Sequence, residues 1–280
     1  MARPRIVALI PTYNEPELVR ACVASLLVQD PVPEVLVINA GDPIPGLDPA
    51  VTVLPVRKEA FWTECMQRGL EAARDIAPDY ILLSNADTYF LPGTLAHLLE
   101  LADVDSRVIA ASPGYEMGGD AYRLRYSRQM DLGFLLYGRL IRDWNLVDEA
   151  PEAPLDSDLM GGQGVLVPLA AFDHAEFRWE IFPQYAGDHD LWLQMRAHGW
   201  RIRIHPKAGI VNRRQFNEQK RGSRLRALWW RWNDVQSGDS WRTMAALRLM
   251  HQPLGLALLS FLLSFGLRWT VGLPKMLRRS

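Results

Sequence analysis

Carboxylates and amides in this sequence fall at the ends of apolar runs, where a strand would hand its last residues to a ligand. Asn39 and Asp42 close PEVLVINAGD, Asn85 and Asp87 close YILLSNAD, and Asp188 and Asp190 open the helical stretch GDHDLWLQMRAHGW. Carboxylate oxygens are hard ligands suited to Mg²⁺ or Mn²⁺, ions usually held by one or two carboxylates together with a substrate's phosphates. A single Asp at the end of a central strand, such as Asp87, is enough to set a divalent cation against a diphosphate. Asp188 stands where a helix begins, and the free N–H groups there attract a carboxylate. Spacing alone leaves two roles open for Asp188 and Asp190, a proton-accepting base or a helix N-cap.

The elements that must position these residues read as an alternation. RIVALIPTY is a short apolar run ending in a turn, a buried strand by pattern. In EPELVRACVASLLVQD, apolar residues recur at helical spacing (Leu18, Cys22, Leu26), with Pro16 at a first-turn position. PEVLVINAGD is a second strand, completing a βαβ unit with a right-handed crossover. VTVLPV, FWTECMQRGLEAAR, YILLSNAD, PGTLAHLLELAD and RVIAASPGY continue as strand, helix, strand, helix and strand. This order predicts an α/β, doubly wound, Rossmann-like sheet, whose ligands bind beyond the carboxyl ends of its strands. Residues 11–15, 39–42 and 85–87 all lie at such ends. From about Glu116 to Asp158 the periodicity weakens among charges and aromatics, and this region is expected to shape an acceptor pocket. MGGQGVLVPLAAF then supplies a glycine-rich turn, a strand and a helix, and RIRIHP closes the body as a strand.

Composition bounds the rest. The chain has 280 residues, 49% of them hydrophobic, enough for one large core and an appendage. Cys22 and Cys65 both sit in apolar helical patterns, so packed thiols are expected rather than a disulfide. The net charge of -1 conceals a division: residues 201–280 hold 16 of the 31 Lys and Arg, 3 of the 32 Asp and Glu, and five of the ten Trp. A basic, Trp-rich segment suits an anionic surface. Its stretch KRGSRLRALWWRWND places Leu225, Leu228, Trp229 and Trp232 on one helical face beside Lys220, Arg224 and Arg231, the pattern of a helix lying in the membrane plane. The run Leu254 to Leu267 is 14 residues without a charge before Arg268, short of the roughly 20 that span hydrocarbon, and predicts an interfacial or re-entrant helix. No nucleic-acid-binding motif is present, so lipid is the better partner for this tail. The apolar stretch in MARPRIVALIPTYNE is too short for a signal peptide, which predicts a catalytic body at the cytoplasmic face of a membrane.

Taken in order, IPTYNE, VINAGD, FWTECMQRGLEAA, LLSNADT, GGQGVLVPLAAF and GDHDLWLQMRAHGW resemble the inverting family 2 nucleotide-sugar glycosyltransferases of GT-A fold, over about residues 5–212. The rhamnosyltransferase-like or cell-wall polysaccharide type is the nearest flavour. The resemblance implies a GT-A domain, set at residues 1–215, and leaves 216–280 as the basic, Trp-rich membrane-associating helical tail read from composition. It implies a nucleotide-diphosphate sugar as donor and a glycan or lipid-linked hydroxyl as acceptor. Pro11, Thr12, Asn14 and Glu15 match its first nucleotide loop, Asn39 a base or ribose contact, and Asn85-Ala86-Asp87 its Asp-X-Asp-like motif, with Asp42 beside the donor and Asp87 as ligand of Mg²⁺ or Mn²⁺. Asp188 matches the acceptor-activating base, and Gly162, Gln163 and Gly164 the loop beneath donor sugar and acceptor. Trp62 reads either as core or as a sugar platform, and His189 and His198 as solvated or helix-end residues.

Three positions depart from that pattern. Asn39 stands in place of a usual Asp, Gly187 in place of a usual Glu, and Asn212 where a metal-binding His is common, with His205 seven residues earlier. A sugar-phosphate nucleotidyltransferase is a second reading, though it would carry a glycine-rich basic loop where IPTYNEPE has none. A third is a catalytically silent membrane adaptor on the same fold.

Overall fold

The computed structural model describes residues 3–118, 120–131, 133, 138–213, 232–234, 237 and 240–278, the side chains of 131, 138 and 267–278 apart. Fourteen strands and six α-helices lie in these residues. The strands β1 (Ile6–Thr12), β2 (Glu34–Asn39), β3 (Thr52–Pro55), β4 (Tyr80–Leu83), β6 (Val108–Ala111), β11 (Leu155–Ser157), β12 (Val165–Pro168) and β13 (Arg201–Ile204) form one eight-stranded sheet, ordered β11-β13-β6-β12-β4-β1-β2-β3. β4, β1, β2 and β3 run parallel, and β12 runs antiparallel between β4 and β6. The sheet is therefore mixed, with its parallel carboxyl ends along one edge.

Alternation along these strands builds a core on each face. Leu9, Ile38, Leu83, Ile109, Val165 and Ile204 point to one side, beneath the helices α2 (Trp62–Arg74) and α4 (Gly187–Ala197). Ala8, Ile10, Val37, Leu82, Ala110 and Leu166 point to the other, beneath α1 (Pro16–Leu27) and α3 (Thr94–Val104). Each fully buried branched side chain contributes about 1.5–3 kcal/mol over its exposed state, so the sheet cannot slip register by one residue without losing both faces.

Two stretches expected to be single strands are each divided between sheets. YILLSNAD forms β4 only as far as Leu83, because Leu9 and Gly164 take its last ladder bonds: Ser84 N donates to Leu9 O at 3.1 Å and Gly164 N to Leu83 O at 2.8 Å. The chain then turns, Thr88 N donating to Asn85 O, and continues as β5 (Thr88–Phe90) in a second sheet ordered β5-β14-β7-β8. RVIAASPGY likewise splits into β6 and β7 (Gly114–Gly118) around Pro113, which has no N–H for a continuous ladder. β8 (Ala121–Tyr126), the hairpin β9 (Arg128–Asp131) and β10 (Gly138–Ile141), and β14 (Ile210–Asn212) complete the strands. The weakly periodic region around residues 116–158 is thus mostly short paired strands.

After the body, α5 (Trp241–His251) and α6 (Leu254–Arg278) pack against each other. Most of the stretch KRGSRLRALWWRWND, up to Arg231, lies outside the described residues. No helix among the described residues is long and apolar enough to cross a membrane.

Both cysteines are buried and unpaired. Cys22 Sγ lies 3.5 Å from Ser84 Oγ, and burial pushes both thiols up to about 12. A thiolate is the reactive form. Iodoacetamide at pH 8 should leave the native protein unlabelled and modify both cysteines after denaturation; rapid labelling of the native chain, read by mass spectrometry, would contradict this packing.

Candidate functional site

The edge of the sheet is built first by the loops after β1 and β2, which lace together. Asn14 adopts a left-handed backbone (φ 53°), and its Oδ1 accepts from Asp42 N at 2.8 Å. Gly41 packs so closely on Asn14 that a Cβ there would collide with it. Asn39 is buried, its Oδ1 accepting from Gly41 N and its Nδ2 donating to Asp42 O, both at 2.9 Å. Its amide therefore both accepts and donates within the loop, which an Asp could not do, and this accounts for the first departure in this fold. Asp42 is exposed and pairs with Lys58 Nζ at 3.3 Å. Pro11 and Thr12 end β1 inside the structure, and the buried Thr12 hydroxyl has no hydrogen-bond partner among the described residues. Such an orphan costs about 1–3 kcal/mol unless a ligand satisfies it. Glu15 forms the N-cap position of α1, its carbonyl accepting from Val19 N.

Asp87 sits in the turn between β4 and β5 and is 8% exposed. Burial raises its carboxyl above the usual range, against the opposing effects of a hydrogen bond to its own backbone, a hydrogen bond from Asn212 and the charge of Arg125. β14 pairs antiparallel with β5, placing Asn212 opposite Thr88, so the third departure from the family pattern lies beside Asp87. His205 does not join them; it lies with His97 and Glu100. Among the described residues no trio of His, Cys, Asp or Glu with closely set ligand atoms surrounds Asp87.

Asn85 faces the other way. Its Oδ1 accepts from Trp62 Nε1 at 2.7 Å and its Nδ2 donates to Gln163 Oε1 at 3.4 Å. Gln163 Oε1 also accepts from Thr88 Oγ1 at 3.2 Å, and Gln163 Nε2 donates to Tyr126 Oη at 3.2 Å. Trp62 is half-buried, edge-on to Phe177 with ring centroids 5.8 Å apart, and its ring fills the space a Gly162 side chain would need. It packs against the core while its indole N–H reaches Asn85. Gly164 has φ 65° and packs on Ile210 and Ser112, so both glycines serve close approach rather than a turn alone.

Asp188 and Asp190 are placed differently, and the N-cap reading holds for neither: the N-cap of α4 is Ala186 in a left-handed conformation without a side-chain bond. Asp190 is fully buried and committed to structure: His251 Nε2 lies 2.6 Å from its Oδ1, Arg178 Nη1 lies 3.4 Å away, and Gln194 Nε2 donates to its Oδ2 at 2.8 Å. Asp188 is half-buried and oriented by backbone donors, Gly162 N to Oδ2 at 3.1 Å and His189 N to Oδ1 at 2.9 Å. Gly187 is required because a Cβ there would strike the buried Thr63 of α2. The second departure thus follows from helix packing. His189 is half-buried against Gln129 at 3.2 Å, and His198 stacks on His174.

Tyr126, at the end of β8, is buried and accepts from Gln163 Nε2. Burial pushes its phenol up, and the charges of both Asp87 and Asp188 push it further the same way. Tyr126 and Arg125 come from the stretch AYRLRYS, inside the region whose periodicity was weak, and were not among the expected site residues. The alternation in AYRLRY was their one available signal, and charges on its outward face obscured it.

Comparisons with known proteins agree with this architecture. Residues 7–154 match the sequence family described as glycosyl transferase family 2. No curated protein matches the sequence significantly. Among solved structures, GalNAc-T7, crystallised with UDP, GalNAc and Mn²⁺, superposes with a TM-score of 0.64 at 11% identity, over 89% of this chain and 52% of its own. TarS of S. aureus superposes with a TM-score of 0.50 at 14% identity, over 71% of this chain and 35% of its own. This chain spans about half or less of each neighbour, and at such identities the likeness is one of fold. The family match runs through more than half of the chain, from β1 past the Asp87 turn and Tyr126, and the chain belongs to glycosyl transferase family 2.

Proposed function

We propose that this protein moves a hexosyl or deoxyhexosyl unit from a nucleotide-diphosphate sugar to a hydroxyl acceptor, with inversion at the anomeric carbon. The observation that carries this reading is that one turn serves both carboxylates: Gly162 N donates to Asp188 Oδ2 at 3.1 Å, and the next residue, Gln163, accepts from Asn85 Nδ2 and Thr88 Oγ1 on either side of Asp87. Asp188 takes the proton of the acceptor hydroxyl; the oxygen forms its bond to the anomeric carbon as the bond to the diphosphate breaks, and the leaving electron pair stays on the diphosphate. One in-line displacement inverts the centre. The loops of Thr12, Asn14 and Asn39 shape the nucleotide side, while Trp62, Gly162 and Gln163 wall the sugar side.

A divalent cation fits the donor set at Asp87, a buried carboxylate flanked by an amide, because Mg²⁺ and Mn²⁺ accept few protein ligands when phosphates supply the rest. When bound it would offset charge developing on the diphosphate. The Mn²⁺ and UDP crystallised with GalNAc-T7 support this reading. Arg125 lends positive charge to the same place.

The acceptor is proposed to be a glycan or lipid-linked chain of cell-envelope polysaccharide, of the kind a rhamnosyl-type transferase extends, at the cytoplasmic face of a membrane. Support comes from the inverted polarity of α6. Arg248, 2% exposed, donates to Ser260 Oγ at 2.9 Å, Ser264 Oγ at 2.7 Å and Met244 O at 2.8 Å, so the inner face is polar. Leu254, Leu258, Leu259 and Leu262 stand outward, each more than half exposed. Leucines facing outward over a serine-lined interior suit a lipid surface, and the basic tail suits anionic headgroups.

Asp188→Asn should lower kcat by about a hundredfold or more while leaving donor affinity near wild type, as measured by nucleotide release and calorimetry; an unchanged kcat would remove the base assignment. Asp87→Ala should weaken donor binding in the presence of Mn²⁺. Because the raised carboxyl of the metal-free protein must be ionised to hold a cation, a plot of log Kd for Mn²⁺ against pH should break above the ordinary 3.8, with affinity lost below the break; a break at or below that value would refute the buried state. Leu258→Asp with Leu262→Asp should abolish co-sedimentation with phosphatidylglycerol vesicles and spare turnover of a soluble acceptor. Undiminished sedimentation would leave these helices without a membrane role.

A further inference from the structure

Away from Asp87, the start of α3 and the loop after β13 bring together two imidazoles and a carboxylate that the transfer reaction does not use. We propose that His97, Glu100 and His205 bind a divalent transition-metal ion of the Zn²⁺ class, fastening the loop between β13 and β14 to α3.

His97 and Glu100 are three residues apart on α3 and share one face. His205 is delivered to that face by its backbone, whose N donates to Ala111 O at 3.1 Å as β13 leaves β6. Glu100 Oε2 lies 3.4 Å from His97 Nδ1 and 3.3 Å from His205 Nε2. Ligand atoms around a tetrahedral ion with bonds of about 2.0–2.2 Å stand about 3.4 Å apart, so both separations already match. All three ligand atoms lie within 4.8 Å of one another, and Glu100 is the exposed member, free to swing as the ion enters.

The two rings stack with centroids 4.6 Å apart and 15° between planes. Imidazole lone pairs lie in the ring plane, so the half-buried His97 ring turns out of this stack to aim its nitrogen at the ion shared with His205. Lys207 N lies 3.3 Å from His205 Nδ1, which leaves the ring proton on Nε2, facing Glu100. Coordination through Nε2 moves that proton to Nδ1 and gives up the long Lys207 contact. Glu152 accepts from Lys207 Nζ at 2.7 Å, so the cation next along the loop is already paired. Three protein ligands leave a fourth position for water.

Two imidazoles with one carboxylate select a softer ion than the oxygen set at Asp87, so the two places would take different metals. The fastened loop leads directly to β14 and Asn212. Its Gly209 O already accepts from Leu91 N at 3.1 Å and Thr94 Oγ1 at 2.8 Å. An ion here would stiffen the connection that sets Asn212 against Asp87.

The test uses the full chain stripped with EDTA, and Co²⁺ as a visible substitute for Zn²⁺. One equivalent of Co²⁺ should give the absorption bands of a tetrahedral site, and one equivalent of Zn²⁺ should erase them. His205→Gln, His97→Gln and Glu100→Gln should each lose or sharply weaken the bands, whereas Asp87→Asn should keep them. Zn²⁺ at a hundredfold excess over its Kd should raise the wild-type melting temperature by about 5 °C, and that of His205→Gln not at all. Melting in EDTA at the wild-type temperature establishes that a variant is folded, and the exposed Glu100→Gln serves if a histidine variant is not. Absence of bands in the wild type, their persistence in all three variants, or their loss in Asp87→Asn would each overturn the site.

Discussion

The hydrogen-bond chain from Tyr126 through Gln163 and Asn85 to Trp62 is the interaction on which the site depends. Its members belong to four separate parts of the fold: β8 in the smaller sheet, the turn before β12, the turn after β4 and the start of α2. Each contact is modest in water-exposed terms, about 0.5–1.5 kcal/mol net. Partly buried, however, they orient one another, since a donor left alone there costs more than the bond gains. Trp62 closes the chain mechanically by packing on Gly162, whose amide holds Asp188. One carboxylate is thereby referenced to the other through side chains that touch neither directly.

Close approach is the second constraint, and it explains residues that look like losses. Gly162, Gly187 and Gly41 each stand where a Cβ would collide with a neighbour: Trp62, Thr63 and Asn14. A carboxylate at 187 would force α4 away from α2 and carry Asp188 with it. Asn39 replaces an acid because the loop needs a donor as well as an acceptor. Asp87, in contrast, remains ionisable in a buried turn at an electrostatic cost, partly offset by Asn212 and Arg125. Stored unfavourable burial of this kind is common where a charged ligand completes the set.

The second of the paired helices after the body buries serines and exposes leucines. Ser260, Ser264 and Ala257 of α6 are buried beside Met244 and Leu247 of α5, while Leu254, Leu258, Leu259 and Leu262 of α6 are outside. His251 joins this pair to the body through Asp190, two residues from Asp188 on the same helix. The helix that carries the proposed base is thus also the helix on which the apolar surface is mounted.

Much of this was written in residue order. Apolar runs of four to seven residues with polar ends determined the strands β1, β2 and β4, and helical spacing determined α1 to α4, because period and burial are local properties of the chain. Asp87 and Asp188 were legible for the same reason: each ends or begins a strongly patterned element. The smaller sheet was not legible, since β5, β7, β8 and β14 are short, partly exposed strands whose stability comes from partners distant in sequence. Tyr126 and Arg125 were hidden with them. Spacing also could not separate Asp188 from Asp190; the tertiary fold decided it by burying Asp190 against Arg178 and His251 and leaving Asp188 at Gly162. Sequence alone determined which elements form and which acids they carry to the edge of the sheet. Which of the two acids at the start of α4 is left partly exposed is a property of packing, and packing joins residues that no local pattern relates.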